Sequence, residues 1–392
     1  MISQDFFNQS INRAGTNSIK WDEFSTPQGE ELNPFWIADM DFACPPAVTE
    51  ALIERAKHPI YGYTEQPAKA KQAMLDFMKR HHNLSLSVND QVMLPCVITG
   101  LRIAVSVYSN VGDSVIIQPP VYNPFFDSIE EQERNVALCP LLRDENNYYQ
   151  MDYEAIENAC KAGAKVMLLC NPHNPVGRCF TKEELTKLYL LLKQYDVLLV
   201  SDEIHQDFVF SPHVFTPILT IATEEDAKVV ALSSVSKTFN VAGLQQAVLL
   251  TRNQTIKTKI EKSLHSIGVT AGNIFAIVGT EAAYRYGDEW LEAVSIYLKK
   301  GYDILCEEIH KRLNKAIVTP LEATYLAWVD VSAYGLTTSE VIKRSIEQGV
   351  AFTAGTIYGK EEGEGFLRIN FGCPHERIVD AIIRLEKAIV KK

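Results

Sequence analysis

Between residues 115 and 250 short apolar runs rich in valine, isoleucine and leucine recur, separated by polar strings and helical stretches. The runs are Val115–Gln118, Val136–Cys139, Lys165–Cys170, Val197–Ser201, Val229–Leu232 and Gln246–Leu250. Runs that are apolar throughout, rather than alternating, suit strands buried on both faces. The stretch between two of them, Lys182–Tyr195, is helical in spacing and opens with Thr181 and Glu184 at capping-box distance. This alternation predicts an α/β fold, a mainly parallel sheet sandwiched by helices. In such sheets ligands collect outside the carboxyl ends of the strands. The polar strings after each run are therefore where chemistry is sought.

The remainder of the chain brackets this core. Helical spacing is predicted for Pro46–His58, Pro67–Asn83 and Asp288–Asn314, and for a helix around Leu101–Tyr108. After Pro320 the pattern becomes strand, helix, strand, strand, helix, which predicts a smaller α+β domain. The expected division is an N-terminal segment 1–45 joining the small domain, a large domain 46–285 and a small domain 286–392. Asp39 and Asp41, just before Pro45–Pro46, read as caps of the first helix.

Of 392 residues 46% are hydrophobic, enough for a sizeable core, and the net charge of −11 comes with no basic block. Nucleic acid and anionic membrane are thereby excluded as partners. Eight scattered cysteines show neither a C-x-x-C pair nor a His–Cys spacing, which predicts no metal site. There is no secretory-type N-terminus and no 18-residue apolar run, so a cytoplasmic protein is expected.

Four strings follow strand runs. Lys237 stands in ALSSVSKTFNVAGLQQ, where by itself it reads as a surface lysine in a serine-rich loop. A lysine at a strand mouth can also hold a carbonyl cofactor as a Schiff base once its pKa is lowered. Asn174 lies in NPHNPVG, a rigid turn that leaves its side chain free to donate. In SDEIHQDF, Asp202 reads either as a helix cap or as a buried carboxylate needing a cation, such as a protonated pyridine nitrogen. His205 reads as a satisfied hydrogen-bonding residue. Tyr122, in PPVYNPF, packs or stacks on a flat ring. The amides of PCVITG suit a phosphate at a helix start, and neither a dinucleotide nor a P-loop glycine motif is present. Arg368, in FLRINFG, needs an anion, from a structural ion pair or a ligand carboxylate.

Taken in order, WIADMDF, HPIYGYT, PPVYNPF, NPHNPVGR, SDEIHQDF, SSVSKTFNVAGLQ and LRINFGCP resemble the fold-type I pyridoxal-phosphate enzymes. More narrowly the chain is similar to aminotransferase class I/II proteins of the MalY/PatB-type cystathionine β-lyase (C–S lyase) subfamily. The resemblance implies pyridoxal 5'-phosphate on Lys237, which later moves the α-proton. It implies Asp202 at the pyridine nitrogen, Asn174 with His205 at the phenolic oxygen, and Tyr122 stacked on the ring and assisting proton transfer. Ser234 with Val97 and Ile98 would contact the phosphate, joined by Tyr63 from a second subunit of a homodimer. Arg368 would hold the substrate carboxylate, with Trp36 and Ala38 at the entrance. The implied activity is β-elimination from L-cystathionine or another L-cysteine S-conjugate. Transamination uses the same residues, and a non-catalytic cofactor-binding regulator is the reading from another class. Gln245, where aspartate aminotransferases carry a phosphate-binding arginine, leans toward the lyase.

Overall fold

The computed structural model describes residues 2–23, 32–269 and 272–390, so residues 1 and 24–31 of the expected N-terminal segment and 270–271 lie outside the described residues. Its largest sheet has seven strands, ordered Gln91–Leu94, Ala247–Leu250, Val229–Ser233, Leu198–Asp202, Val166–Cys170, Ser114–Ile117 and Asn135–Leu138. Pairing is parallel from Val229–Ser233 through Asn135–Leu138, and Ala247–Leu250 runs antiparallel to both neighbours. The three central strands are buried at every position, as continuous apolar runs require.

Two departures from the sequence reading have simple causes. The edge strand Gln91–Leu94 was not expected, because its apolar stretch is only Val92–Leu94, bounded by Gln91 and Pro95. The helix expected around Leu101 begins at Val97 and runs to Tyr108. Its first turn holds the β-branched Val97, Ile98 and Thr99, which weaken a helical signal. Packing overrides that preference: a Cβ on Gly100 would stand 2.5 Å from Leu232 Cδ2, so glycine lets the helix sit tightly on the sheet. The helix Lys182–Gln194 carries the expected capping box, with Thr181 accepting from the Glu184 N–H and Glu184 from the Thr181 N–H.

The second sheet is antiparallel, ordered Ile317–Val318, Leu326–Asp330, Phe366–Asn370 and Thr353–Ala354. It packs with helices Asp288–Arg312, Thr338–Glu347 and His375–Ile389. The N-terminal Asn33–Pro34 pairs in parallel with Val350–Ala351. No described helix is long and apolar enough to cross a membrane.

Asp39 and Asp41 are not helix caps. The helix Pro46–Lys57 is preceded by Pro45, with no side-chain cap. Asp41 instead accepts from Arg13 (2.7 Å), Lys20 (2.9 Å), Trp21 (3.0 Å) and Arg377 (2.6 Å), while Asp39 pairs with Arg13 at 2.8 Å. Burial works against ionisation of Asp41, yet Lys20 and Arg377 hold its carboxyl well below the ordinary range. Because the folded carboxyl binds its proton less tightly than the unfolded one, its contribution is complete at neutral pH. It is lost as pH falls below the ordinary carboxylate value. Asp41→Ala strands Arg377 and leaves Arg13 and Lys20 to share Asp39, and we expect a loss of about 3–5 kcal/mol in urea unfolding at neutral pH.

Candidate active site

The strand register sets the site. Cys170, Asp202 and Leu232 stand side by side at the carboxyl ends of three parallel strands. The chain leaving those ends carries Asn174, Asp202 with His205, and Ser234 with Lys237. Arg368 comes from the other sheet, where it pairs with Trp328 on one side and Thr353 on the other. These residues, with Trp36, Ala38, Val97, Ile98 and Tyr122, line one cavity of about 510 Å³. Every sequence-predicted site residue is brought there except Tyr63, which is fully exposed on the outside of the chain. Gln245, left-handed at φ 55°, opens instead onto a separate cavity of about 430 Å³ beside Gln66 and Asn273.

Lys237 belongs to a single helical turn, Val235–Thr238, started by Ser234, whose hydroxyl accepts from the Ser236 N–H. The Ser234 hydroxyl also donates to the Gln246 carbonyl at 2.6 Å. The Lys237 amine donates to the Ala38 carbonyl. Burial brings that amine down to about 8, with Arg368 adding to the effect and Asp39 and Asp202 opposing it. An amine near neutrality is available as nucleophile and base.

Asp202 is buried and makes no ion pair among the described residues; its side chain accepts from the Ile204 N–H at 3.1 Å. That bond is an Asx-type turn, since no helix follows. Burial raises its carboxyl to about 7, which the Ile204 amide and Lys237 only partly offset. A carboxylate in this position lacks a cation. His205 is not a satisfied core histidine: it is buried, its Nδ1 has no partner among the described residues, and burial brings it down to about 3. It is therefore a neutral imidazole at any ordinary pH.

The Arg368 guanidinium, also buried, donates to Asn174 Oδ1 at 3.2 Å, to the Trp36 carbonyl, and to Thr353 Oγ1 at 3.4 Å. Its Nε has no partner among the described residues, and the Tyr358 ring lies 5.2 Å from the guanidinium carbon. Among the described residues no carboxylate pairs with it, so the structural ion pair is set aside and an anion is wanted here. Burial pushes the Tyr122 hydroxyl up to about 12, so it stays a neutral donor. The cavity also takes in Thr353, Ile357 and Tyr358, which the sequence reading missed. Their one signal is the register that sets Thr353 beside Arg368.

Arg368→Ala should raise KM for an amino-acid substrate by roughly 10²-fold and change kcat less, since a hydrogen bond to a charged group is worth about 1.5–3 kcal/mol. Steady-state kinetics at fixed enzyme concentration would check the split.

Residues 35–385 match the family described as aminotransferase class I and II. The chain is similar to "Cystathionine beta-lyase PatB" of Bacillus subtilis, 36% identical over 386 residues, covering 98% of this chain and 99% of that protein. It is likewise similar to "Protein MalY" of Escherichia coli, 31% identical over 388 residues and 98% of each. Among solved structures it resembles the PLP-bound C-S lyase from Staphylococcus hominis, with a TM-score of 0.90, 29% identity, and 98% and 99% of the two chains covered.

Proposed function

The chain belongs to the aminotransferase class I and II family, and from that premise we propose that it is a pyridoxal 5'-phosphate-dependent carbon–sulfur lyase. It would cleave L-cystathionine or another L-cysteine S-conjugate to a thiol, pyruvate and ammonia. The observation that carries this reading is a single cavity holding three mismatched charges. They are an amine near neutrality at Lys237, a buried carboxylate without a cation at Asp202, and a buried arginine with only neutral partners at Arg368.

The residues fit the cofactor. A protonated pyridine nitrogen supplies the cation that Asp202 lacks, and a carbonyl suits the Lys237 amine. The phenolic oxygen would be met by the Asn174 amide and the neutral His205. The helix starting at Val97 has no side-chain cap among the described residues, so its first N–H groups are available to a phosphate, and Ser234 would join them by turning its hydroxyl from the Gln246 carbonyl. When bound, pyridoxal 5'-phosphate provides an electron sink for the charge left at Cα.

The protein's own part is orientation, charge and proton handling. Arg368, oriented by its bond to Asn174 Oδ1, holds the substrate carboxylate and so fixes which Cα bond faces Lys237. Lys237 removes the α-proton as general base. Asp202 would hold the cofactor at its pyridine nitrogen and, as a carboxylate, would stabilise positive charge there. Trp36 and Ala38 border the entrance. Among the described lining residues Lys237 and Arg368 are the cations.

The reading extends to a cytoplasmic homodimer in which Tyr63 reaches the partner's phosphate site, and to the division 1–45, 46–285 and 286–392. The full exposure of Tyr63 supports the first part; molecular mass in solution tests it. The activity is tested with purified protein, pyridoxal 5'-phosphate and cystathionine. Pyruvate and ammonia formed without an added 2-oxo acid are expected. Turnover only in the presence of an oxo-acid acceptor would replace the lyase with a transaminase.

A further inference from the structure

The motif SDEIHQDF contributes Asp202 and His205 to the cavity, but its last acidic residue, Asp207, points elsewhere. Asp207 Oδ2 accepts from the Thr238 hydroxyl at 2.5 Å and Oδ1 faces His82 Nε2 at 2.6 Å. The side chains of Asp207 and His82 are 2% and 7% exposed, and Thr238 is buried. A carboxylate only accepts, so both hydrogens lie toward Asp207. The chain of bonds thus runs from the last residue of the helix Ala68–His82, through Asp207, to the residue that follows Lys237.

That placement matters because the lysine turn cannot hold itself. Val235–Thr238 is four residues long, too short to form a stable helix unaided. Its entry is tied by Ser234, and its exit is tied by Thr238. Gln206, beside Asp207, adds a bond to Ser233 at 3.1 Å. One loop therefore carries Asp202 into the cavity and grips the lysine turn from behind. The two groups that must face opposite sides of one reactant are mechanically joined.

We propose that His82, Asp207 and Thr238 are positioning residues that hold Lys237 on its line of approach to the substrate Cα. None of them touches substrate, and their effect passes through the lysine. The inference rests on the reading of Lys237 as the reacting amine.

Thr238→Val, which removes the donated bond with little change of volume, is compared with Thr238→Ser, which keeps it. The readouts are kcat and KM for cystathionine, the thermal midpoint, and the pH titration of the visible absorbance of lysine-bound pyridoxal 5'-phosphate. Thr238→Val should lower kcat by about 10- to 100-fold, the scale of small misplacements of reacting groups, with KM within about threefold. It should also shift the absorbance titration, and Thr238→Ser should restore both. A Thr238→Val protein that is merely less stable, with wild-type kcat and titration, would overturn the proposal. If that variant does not accumulate, His82→Gln at the outer end of the chain carries the same expectations and the same refutation. A wild-type protein that shows no cofactor absorbance dependent on Lys237 would sink the underlying reading, and this inference with it.

Discussion

Lys237→Ala should abolish detectable β-elimination and, with it, the visible absorbance that added pyridoxal 5'-phosphate acquires on the protein. Two losses combine. Removing a general base typically costs about 10²–10⁴-fold, and removing the covalent anchor as well puts the effect at or beyond the upper end. The fold should survive, because among the described residues the Lys237 amine makes one hydrogen bond, to the Ala38 carbonyl, and no ion pair. Near-native thermal stability together with lost absorbance is the expected combination. Retention of either absorbance or turnover would remove Lys237 from the mechanism.

Asp202→Asn should lower kcat by roughly 10²–10³-fold, the range for deleting one preorganised electrostatic contact. The same substitution should stabilise the cofactor-free protein above neutral pH. Burial raises the Asp202 carboxyl to about 7, so the folded state holds the proton more tightly than the unfolded chain does. Its favourable contribution is present below the unfolded carboxylate value and is lost as pH rises through about 7. Above that, an ionised and unpaired carboxylate is a cost that asparagine removes, while the oxygen facing the Ile204 N–H can be kept. Thermal melts of the cofactor-free pair at acidic and alkaline pH would show the midpoints diverging as pH rises. Adding pyridoxal 5'-phosphate should then stabilise the wild type more than the variant. A site that is unstable until filled is the usual trade of stability for function.

Much of this was legible in order. Periodicity located the central strands to within a residue or two, because strands buried on both faces must be apolar throughout. It did not reveal Gln91–Leu94, four residues at a sheet edge, or the true start of the helix at Val97, where packing against Leu232 outweighs β-branched propensity. The helix-cap reading of Asp39 and Asp41 failed for a similar reason. Local spacing could not show that Arg13, Lys20 and Arg377 converge on them from distant parts of the chain.

The sequence by itself determined the class of fold and the identities of the chemical groups: Asn174, Asp202 and Lys237 follow apolar strand runs, and Arg368 stands within one. The company they keep was decided by tertiary structure. Strand register put Asp202 next to Cys170 and Leu232, and a second sheet delivered Arg368 from more than a hundred residues away. Only the folded chain shows that, among the described residues, Asp202 has no cation, Arg368 no carboxylate and one His205 nitrogen no partner. Residue type states what a group can donate or accept. Whether that capacity is already spent depends on neighbours that are far apart in the chain.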